Sequence, residues 1–196
     1  MASKAFNLPN ILTYARILAV PLVAACFLNP HAFASGDQAR WTAFALFAIA
    51  SITDWFDGYL ARAWQQTSNI GRMLDPIADK LLVSVSLFLL AADPAQTITG
   101  WSLWAAIIIL CREILVSGLR EYLAGLKVSV PVSRLAKWKT TIQMVAIGVL
   151  LAGPALDHYW AYGTQAGIAL LWIAAVLTLY TGYDYFRAGL KHLVDE

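Results

Sequence analysis

Charge is what this chain has least of. Only 13% of its 196 residues are Asp, Glu, Lys or Arg, while 60% are apolar, and the mean hydropathy is +0.63. A soluble domain of this size cannot hide so much apolar surface in one core, so a soluble globular fold is excluded. Cysteine is almost missing as well. Cys26 and Cys111 alone rule out a four-cysteine metal centre, and their expected placement in different helices at different depths argues against a structural disulfide. His31, His158 and His192 fall in loops or near the C-terminal end, with no Ser or Cys spaced to make a nucleophile pair; they read as solvated polar residues. No internal repeat, low-complexity tract or second domain interrupts the chain, and residues 1–196 read as one domain.

What the chain does have is long apolar runs. About 20 apolar residues at 1.5 Å rise each cross a hydrocarbon layer of about 30 Å, and six segments qualify. They run from about Leu8 to Leu28, Trp41 to Ala61, Met73 to Ala92, Ile98 to Leu126, Thr140 to Leu156, and Thr164 to Phe186. LNPHAFASGDQ, AADPAQTITG and AGPALDHYWAYG between them have turn and loop compositions. The expected fold is therefore all-α and polytopic, with six transmembrane helices. Lys4 before the first run imitates a signal peptide, and VAAC ending at Cys26 imitates a lipoprotein box. Arg16 and Pro21 interrupt that run, which reads as a retained first helix.

The basic residues orient the spans. Thirteen of the 14 Lys and Arg fall on one side: Lys4, Arg16, Arg62, Arg72, Lys80, Arg112, Arg120, Lys127, Arg134, Lys137, Lys139, Arg187 and Lys191. Arg40 alone falls on the other, near Asp37, Asp93 and Asp157. Basic residues accumulate in short cytoplasmic loops, so both termini are expected to be cytoplasmic. The formal net charge of +2 understates this asymmetry. A basic cytoplasmic face suits anionic headgroups or phosphate-bearing substrates, although topology alone accounts for many of these residues.

Four aspartates stand out in DWFDGYLARAWQQTSNIGRMLDPIADK, residues 54–80. If the second span stays helical past Asp54, then Asp57 and Ala61 follow at steps of three and four and stack on one face. Asp75 and Asp79 do the same at the start of the third span. Like charges this close cannot all stay ionised near a low-dielectric region without positive charge among them. One divalent cation, or two, supplies it. All-oxygen carboxylate sites favour Mg²⁺, Mn²⁺ or Ca²⁺, whereas zinc more often recruits His or Cys. Mg²⁺ completes its shell with water and substrate phosphates, which points to phosphoryl chemistry. Gly58 and Gly71 flank the acids where phosphates can approach. The alternative is that these acids cap helices or pair with Arg62, Arg72 and Lys80.

The eight positions Asp54, Asp57, Gly58, Ala61, Arg62, Gly71, Asp75 and Asp79 form D-x2-D-G-x2-A-R-x8-G-x3-D-x3-D, the signature that the CDP-alcohol phosphotransferases carry, with every fixed position matched. NLPNILTYARIL, CREILVSGLREYLAGL and AKWKTTIQMVA resemble the bacterial branch whose acceptor is sn-glycerol 3-phosphate, so the resemblance covers nearly the full length. Ala136 departs from it, where such enzymes commonly have Gly. The resemblance implies a usually dimeric six-helix membrane enzyme of the cytoplasmic membrane, with a cytosol-facing polar cavity. In it Asp54, Asp57, Asp75 and Asp79 would hold two ions of Mg²⁺ or Mn²⁺, and Asp79 would also act as base. Asp57, Gly58, Ala61, Arg62 and Gly71 would lie along the CDP group of CDP-diacylglycerol. Asn10, Thr13 and Arg16 can cap and line the first helix, and the resemblance puts them near the donor headgroup.

Acceptor choice needs other residues. Arg112 lies about 20 Å along a helix entered at Ile98, deep for a charge. Arg120, eight residues on, is within about 80° around the helix, so both can face one pocket. Arg112, Arg120, Lys137 and, less directly, Lys139 are the candidate phosphate ligands for glycerol 3-phosphate; pairing of the two arginines with Glu113 and Glu121 is the alternative. Two other functions stay open at this level: the same chemistry on inositol phosphate, serine or a phospholipid, and an ion-coupled transporter, against which no inverted repeat or pair of broken helices is visible.

Overall fold

The computed structural model describes residues 8–63, 69–126 and 134–194; the side chains of 9, 55–63, 69, 72, 134 and 188–194 lie outside that description. Six long helices follow in order: α1 (Leu8–Leu28), α2 (Gly36–Ala63), α3 (Asn69–Ala91), α4 (Trp101–Gly125), α5 (Arg134–Asp157) and α6 (Gly163–Val194). A single 3-10 turn, Pro30–Ala32, follows α1, and there is no strand among the described residues. Asn10–Leu28, Trp101–Gly125, Leu135–Asp157 and Gly163–Arg187 are long and apolar enough to cross a membrane. The chain is an all-α membrane protein. α2 and α3 fall outside this set among the described residues, and each carries motif aspartates near one end.

Four of the helices, α2, α3, α5 and α6, overrun the apolar segments that announce them, while α1 keeps to its segment and α4 starts at Trp101, three residues past Ile98. α2 begins at Gly36 rather than Trp41, α5 at Arg134 rather than Thr140, and α6 continues to Val194 past Phe186. Hydropathy marks where a helix meets hydrocarbon. Backbone hydrogen bonding continues into the polar flanks, and nothing in GDQAR or RLAKWK breaks it.

Contacts gather the chain into two compact units, Met1–Thr97 with Ile147–Thr164, and Ile98–Ala146 with Gln165–Glu196. In the first, α1 packs on both α2 and α3. The buried positions of α2 are Ala39, Ala43, Phe47 and Ala50, spaced by three and four so that they share one face. Three of the four are alanines. Within a bilayer, burying apolar side chains against another helix gains little over lipid, so close backbone approach through small residues does the associating. Leu18, Ile49 and Phe88 point outward, each more than half exposed, as a lipid-facing surface requires.

One end of the first unit is tied by polar contacts. Arg40 pairs with Asp93 at 2.5 Å, Thr97 donates its hydroxyl to the same carboxylate, and the Ala95 N–H donates at 3.1 Å. The Arg40 guanidinium also lies over the Phe27 ring, 5.2 Å from its centroid. His158 pairs with Asp37. Asp157 accepts from both the Thr164 N–H and its hydroxyl, capping the first turn of α6. Between Asp157 and α6 only glycine fits at 163, because an added methyl would stand 2.8 Å from Leu156 Cγ. α5 is kinked where Gly153 leaves helical geometry (φ 18°, ψ −103°) ahead of Pro154, which has no N–H to give.

Burial pushes the Asp93 carboxyl up, but the hydrogen bonds from Arg40, Thr97 and Ala95 outweigh it and hold the group below the usual carboxylate range. A carboxyl depressed in the folded state stabilises fully above its unfolded value near 3.9 and loses that contribution as pH falls through the folded value. Asp93→Asn is therefore expected to cost roughly 1.5–3 kcal/mol at neutral pH and to flatten the acid limb of a detergent-solubilised thermal unfolding series below about pH 4. An acid limb identical to that of the parent chain would show that Asp93 does not set it.

In the second unit the buried residues of α4 are Ser102, Ala105, Ala106, Ile109, Val116 and Leu123, again a single stripe, and Leu171, Ala174, Ala175, Thr178 and Thr181 are buried on α6.

Candidate active site

The motif acids sit in the first unit, and α1 supplies what surrounds them. Asn10, Thr13 and Arg16 follow one another at steps of three and are all buried. α1 is already helical at Leu8, so these residues lie inside its first turns and do not cap it. The Arg16 side chain is 0% exposed, and a guanidinium that deep in a low-dielectric region needs an anion. Asp54 of α2 is that anion, in a direct ion pair, with 38% of its own side chain still exposed. The Thr13 hydroxyl donates to Asp75 Oδ1 of α3 at 2.5 Å. Asp54 and Asp75 lie close enough to repel one another. One helix thus gives a fixed positive charge to the first motif acid and a hydroxyl donor to the third.

On α3, Gly71, Asp75 and Asp79 recur every fourth residue and so stack along one side. Gly71 is buried, and Asp75 and Asp79 are half-buried. Asp57, Gly58, Ala61 and Arg62 occupy the last turns of α2, where the backbone stays helical through Ala63 and preserves their spacing; their side chains lie outside the described residues. So do the side chains of Lys4, Arg72, Lys127, Arg134 and Lys191. Among the described residues no group of three metal-ligating side chains is gathered; the expected set includes Asp57. What is described fits a hard divalent ion. Asp54 and Asp75 offer only oxygen donors, they repel each other, and Asp54 keeps an open flank.

The basic candidates belong to the second unit. α4 starts at Trp101, which places Arg112 about 17 Å along its axis. Arg112 Nε donates to the Thr178 carbonyl at 3.1 Å and Nη2 to Thr181 Oγ1 at 3.1 Å. Its Nη1 is 3.5 Å from Glu113 Oε1. The Lys139 ammonium forms a direct ion pair with the same Glu113 oxygen. Arg112 also borders an apolar groove of about 450 Å³ whose lining includes Trp104, Leu115, Leu179 and Phe186. Arg120 is exposed, its guanidinium 5.5 Å from the Tyr185 ring centroid. Both arginines therefore reach α6, as their angular separation on α4 allows.

Lys137 and Lys139 separate. Two residues apart on a helix that begins at Arg134, they point about 200° away from each other; Lys139 is buried beside Glu113 and Lys137 is exposed. Thr178, Thr181 and Gly182 carry no chemical signature in the sequence and become visible only because α6 brings them to Arg112. Glu113 was legible as a possible partner of Arg112, but its closer contact is with Lys139.

This constellation can be set beside known proteins. A sequence model described as CDP-alcohol phosphatidyltransferase matches residues 6–180. A protein of Cereibacter sphaeroides named CDP-diacylglycerol–glycerol-3-phosphate 3-phosphatidyltransferase is 42% identical over 97% of this chain and 99% of its own length. Proteins of the same name from Rickettsia typhi and Salmonella choleraesuis are 48% and 41% identical, over 93% and 97% of this chain and 96% and 99% of theirs. With the whole aspartate motif inside a match that runs from α1 into α6, and with relatives alike from end to end, the chain belongs to the CDP-alcohol phosphatidyltransferase family.

Proposed function

We propose that this protein transfers the phosphatidyl group of CDP-diacylglycerol to sn-glycerol 3-phosphate, giving phosphatidylglycerol phosphate and CMP. The observation that carries it is the complete eight-position motif, with Asp54 and Asp75 held against Arg16 and Thr13. The relatives' end-to-end likeness supports this acceptor over others in the family.

The family generally depends on a divalent metal, here Mg²⁺ or Mn²⁺ as one or two ions. Asp54, Asp57, Asp75 and Asp79 would hold it. When bound, such an ion supplies positive charge against the diphosphate and the leaving oxygen. Gly58, Ala61, Arg62 and Gly71 line the CDP group, with small residues where a side chain would obstruct it. Arg16 is a counter-ion that holds Asp54 in place, while Asn10 and Thr13 complete that wall. Arg112, Lys139, Arg120 and Lys137 bind the acceptor's phosphate, Lys139 from a buried position, Arg112 from a half-buried one and the others from exposed ones. Asp79 accepts the proton of the acceptor's 1-hydroxyl. That oxygen forms a new bond to the phosphorus bearing diacylglycerol, the bond from that phosphorus to the bridging oxygen breaks, and CMP departs with the electron pair.

The same proposal makes the whole chain one catalytic domain and all six helices membrane spans. Both termini and the motif face the cytoplasm of a bacterial inner membrane, supported by the one-sided distribution of Lys and Arg. Family likeness supports a homodimer. The test offers purified protein CDP-diacylglycerol and Mg²⁺ with glycerol 3-phosphate, inositol phosphate, serine or a phospholipid in turn, and measures CMP release. Release is expected with glycerol 3-phosphate alone. Turnover with a different acceptor would reassign the substrate, and no release with any would favour a non-enzymatic role.

A further inference from the structure

Arg112 is held by one turn of α6. Its Nε donates to the Thr178 carbonyl and its Nη2 to Thr181 Oγ1, both at 3.1 Å. Thr181 has a single hydroxyl proton, and it is directed within the helix, to the Leu177 carbonyl at 2.8 Å. Its oxygen therefore presents lone pairs to the guanidinium. The stem of Arg112 lies across Gly182, where an added methyl would stand 3.1 Å from Cγ and 3.3 Å from Nε. Those atoms are near the root of the side chain and cannot swing aside without carrying Nε off the Thr178 carbonyl. The two bonds fix the plane of the fork; its Nη1 side holds only a long 3.5 Å contact with Glu113 Oε1, an oxygen that Lys139 also binds, so an anion there takes the place of that contact.

Glycine inside a helix is about 1 kcal/mol worse than alanine. At position 182 the three atoms nearest to where a methyl would stand all belong to Arg112, so the space itself is what glycine provides. We infer that Thr181 and Gly182 are positioning residues for the acceptor's phosphate, setting the plane and reach of the Arg112 guanidinium without touching the substrate. The inference rests on Arg112 being a ligand of that phosphate. It extends the acceptor site onto a helix that carries none of its charges.

Steady-state kinetics in mixed micelles test it. Gly182→Ala and Thr181→Val are each expected to raise KM for glycerol 3-phosphate about tenfold, the equivalent of one hydrogen bond to a charged group, with KM for CDP-diacylglycerol unchanged. Thr181→Ser keeps the oxygen and is expected to restore the parent value. A merely structural role would instead move both KM values together, which the positioning role does not. In an Arg112→Ala background the two substitutions should add nothing. If Arg112→Ala raises the acceptor KM while Thr181→Val and Gly182→Ala leave it where it was, the positioning role is overturned and the phosphate role of Arg112 stands. If Arg112→Ala itself leaves the acceptor KM unchanged, both are overturned.

Discussion

Asp79→Asn lowers turnover by about 10²- to 10⁴-fold, the usual contribution of a positioned general base, while CDP-diacylglycerol still binds. Asparagine keeps the shape of the side chain and one oxygen, so local packing is not disturbed. What it loses is the capacity to take a proton, together with the negative charge that Asp79 would offer a metal ion. The role of base is proposed for Asp79 on family likeness. Asp54 is engaged by a buried guanidinium and Asp75 by a hydroxyl donor. Asp79 stands one turn further along α3. The check is CMP release under saturating substrates, with donor binding measured separately on the same preparation. Turnover within about tenfold of the parent chain would remove Asp79 from the role of base.

Arg112→Ala acts on the other substrate. Truncating one partner of a buried, hydrogen-bonded charge pair costs about 2–5 kcal/mol, which corresponds to a rise of roughly 30-fold or more in KM for glycerol 3-phosphate. KM for CDP-diacylglycerol should stay nearly constant. Two features of the site make the loss large. The guanidinium is already fixed by Thr178 and Thr181, so binding a phosphate costs little further ordering. It also borders an apolar groove, where charge interactions are screened less than in water. Arg112→Lys is expected to fall between the two, because a single ammonium cannot reach both α6 oxygens and an anion in the same plane. Equal effects on donor and acceptor KM would mean that Arg112 supports the fold at large and not the acceptor.

These outcomes depend on residues that entered the picture in different ways. The membrane class, the helical fold and the aspartate motif are readable from one dimension. Charge scarcity excludes a soluble core, a run of about 20 apolar residues is long enough to cross a bilayer, and D-x2-D-G-x2-A-R-x8-G-x3-D-x3-D is a local pattern whose spacing follows helical geometry. Helix ends were less legible, because the hydrogen-bonded backbone of α2, α5 and α6 continues into polar flanks that hydropathy discounts. Lys139 and Lys137 show the intermediate case. Once α5 is known to be helical from Arg134, a separation of two residues must put them on opposite sides, and which side meets Glu113 is settled by packing.

The tertiary structure alone decided the partners. Arg16 meets Asp54 across 38 positions of sequence, Thr13 meets Asp75 across 62, and Arg112 meets Thr178 and Thr181 across 66 and 69. Periodicity gives the face of a helix on which a residue lies. It does not give the rotation, depth or neighbour of that helix, because these are fixed jointly by every close-packed contact in the unit. For this protein the sequence determined the chemistry available, namely four acids at helical spacing and a set of basic residues. The fold determined which of those groups are held rigid, turning Arg16 from a possible headgroup ligand into a buried counter-ion and giving Arg112 a seat on a glycine no motif marks.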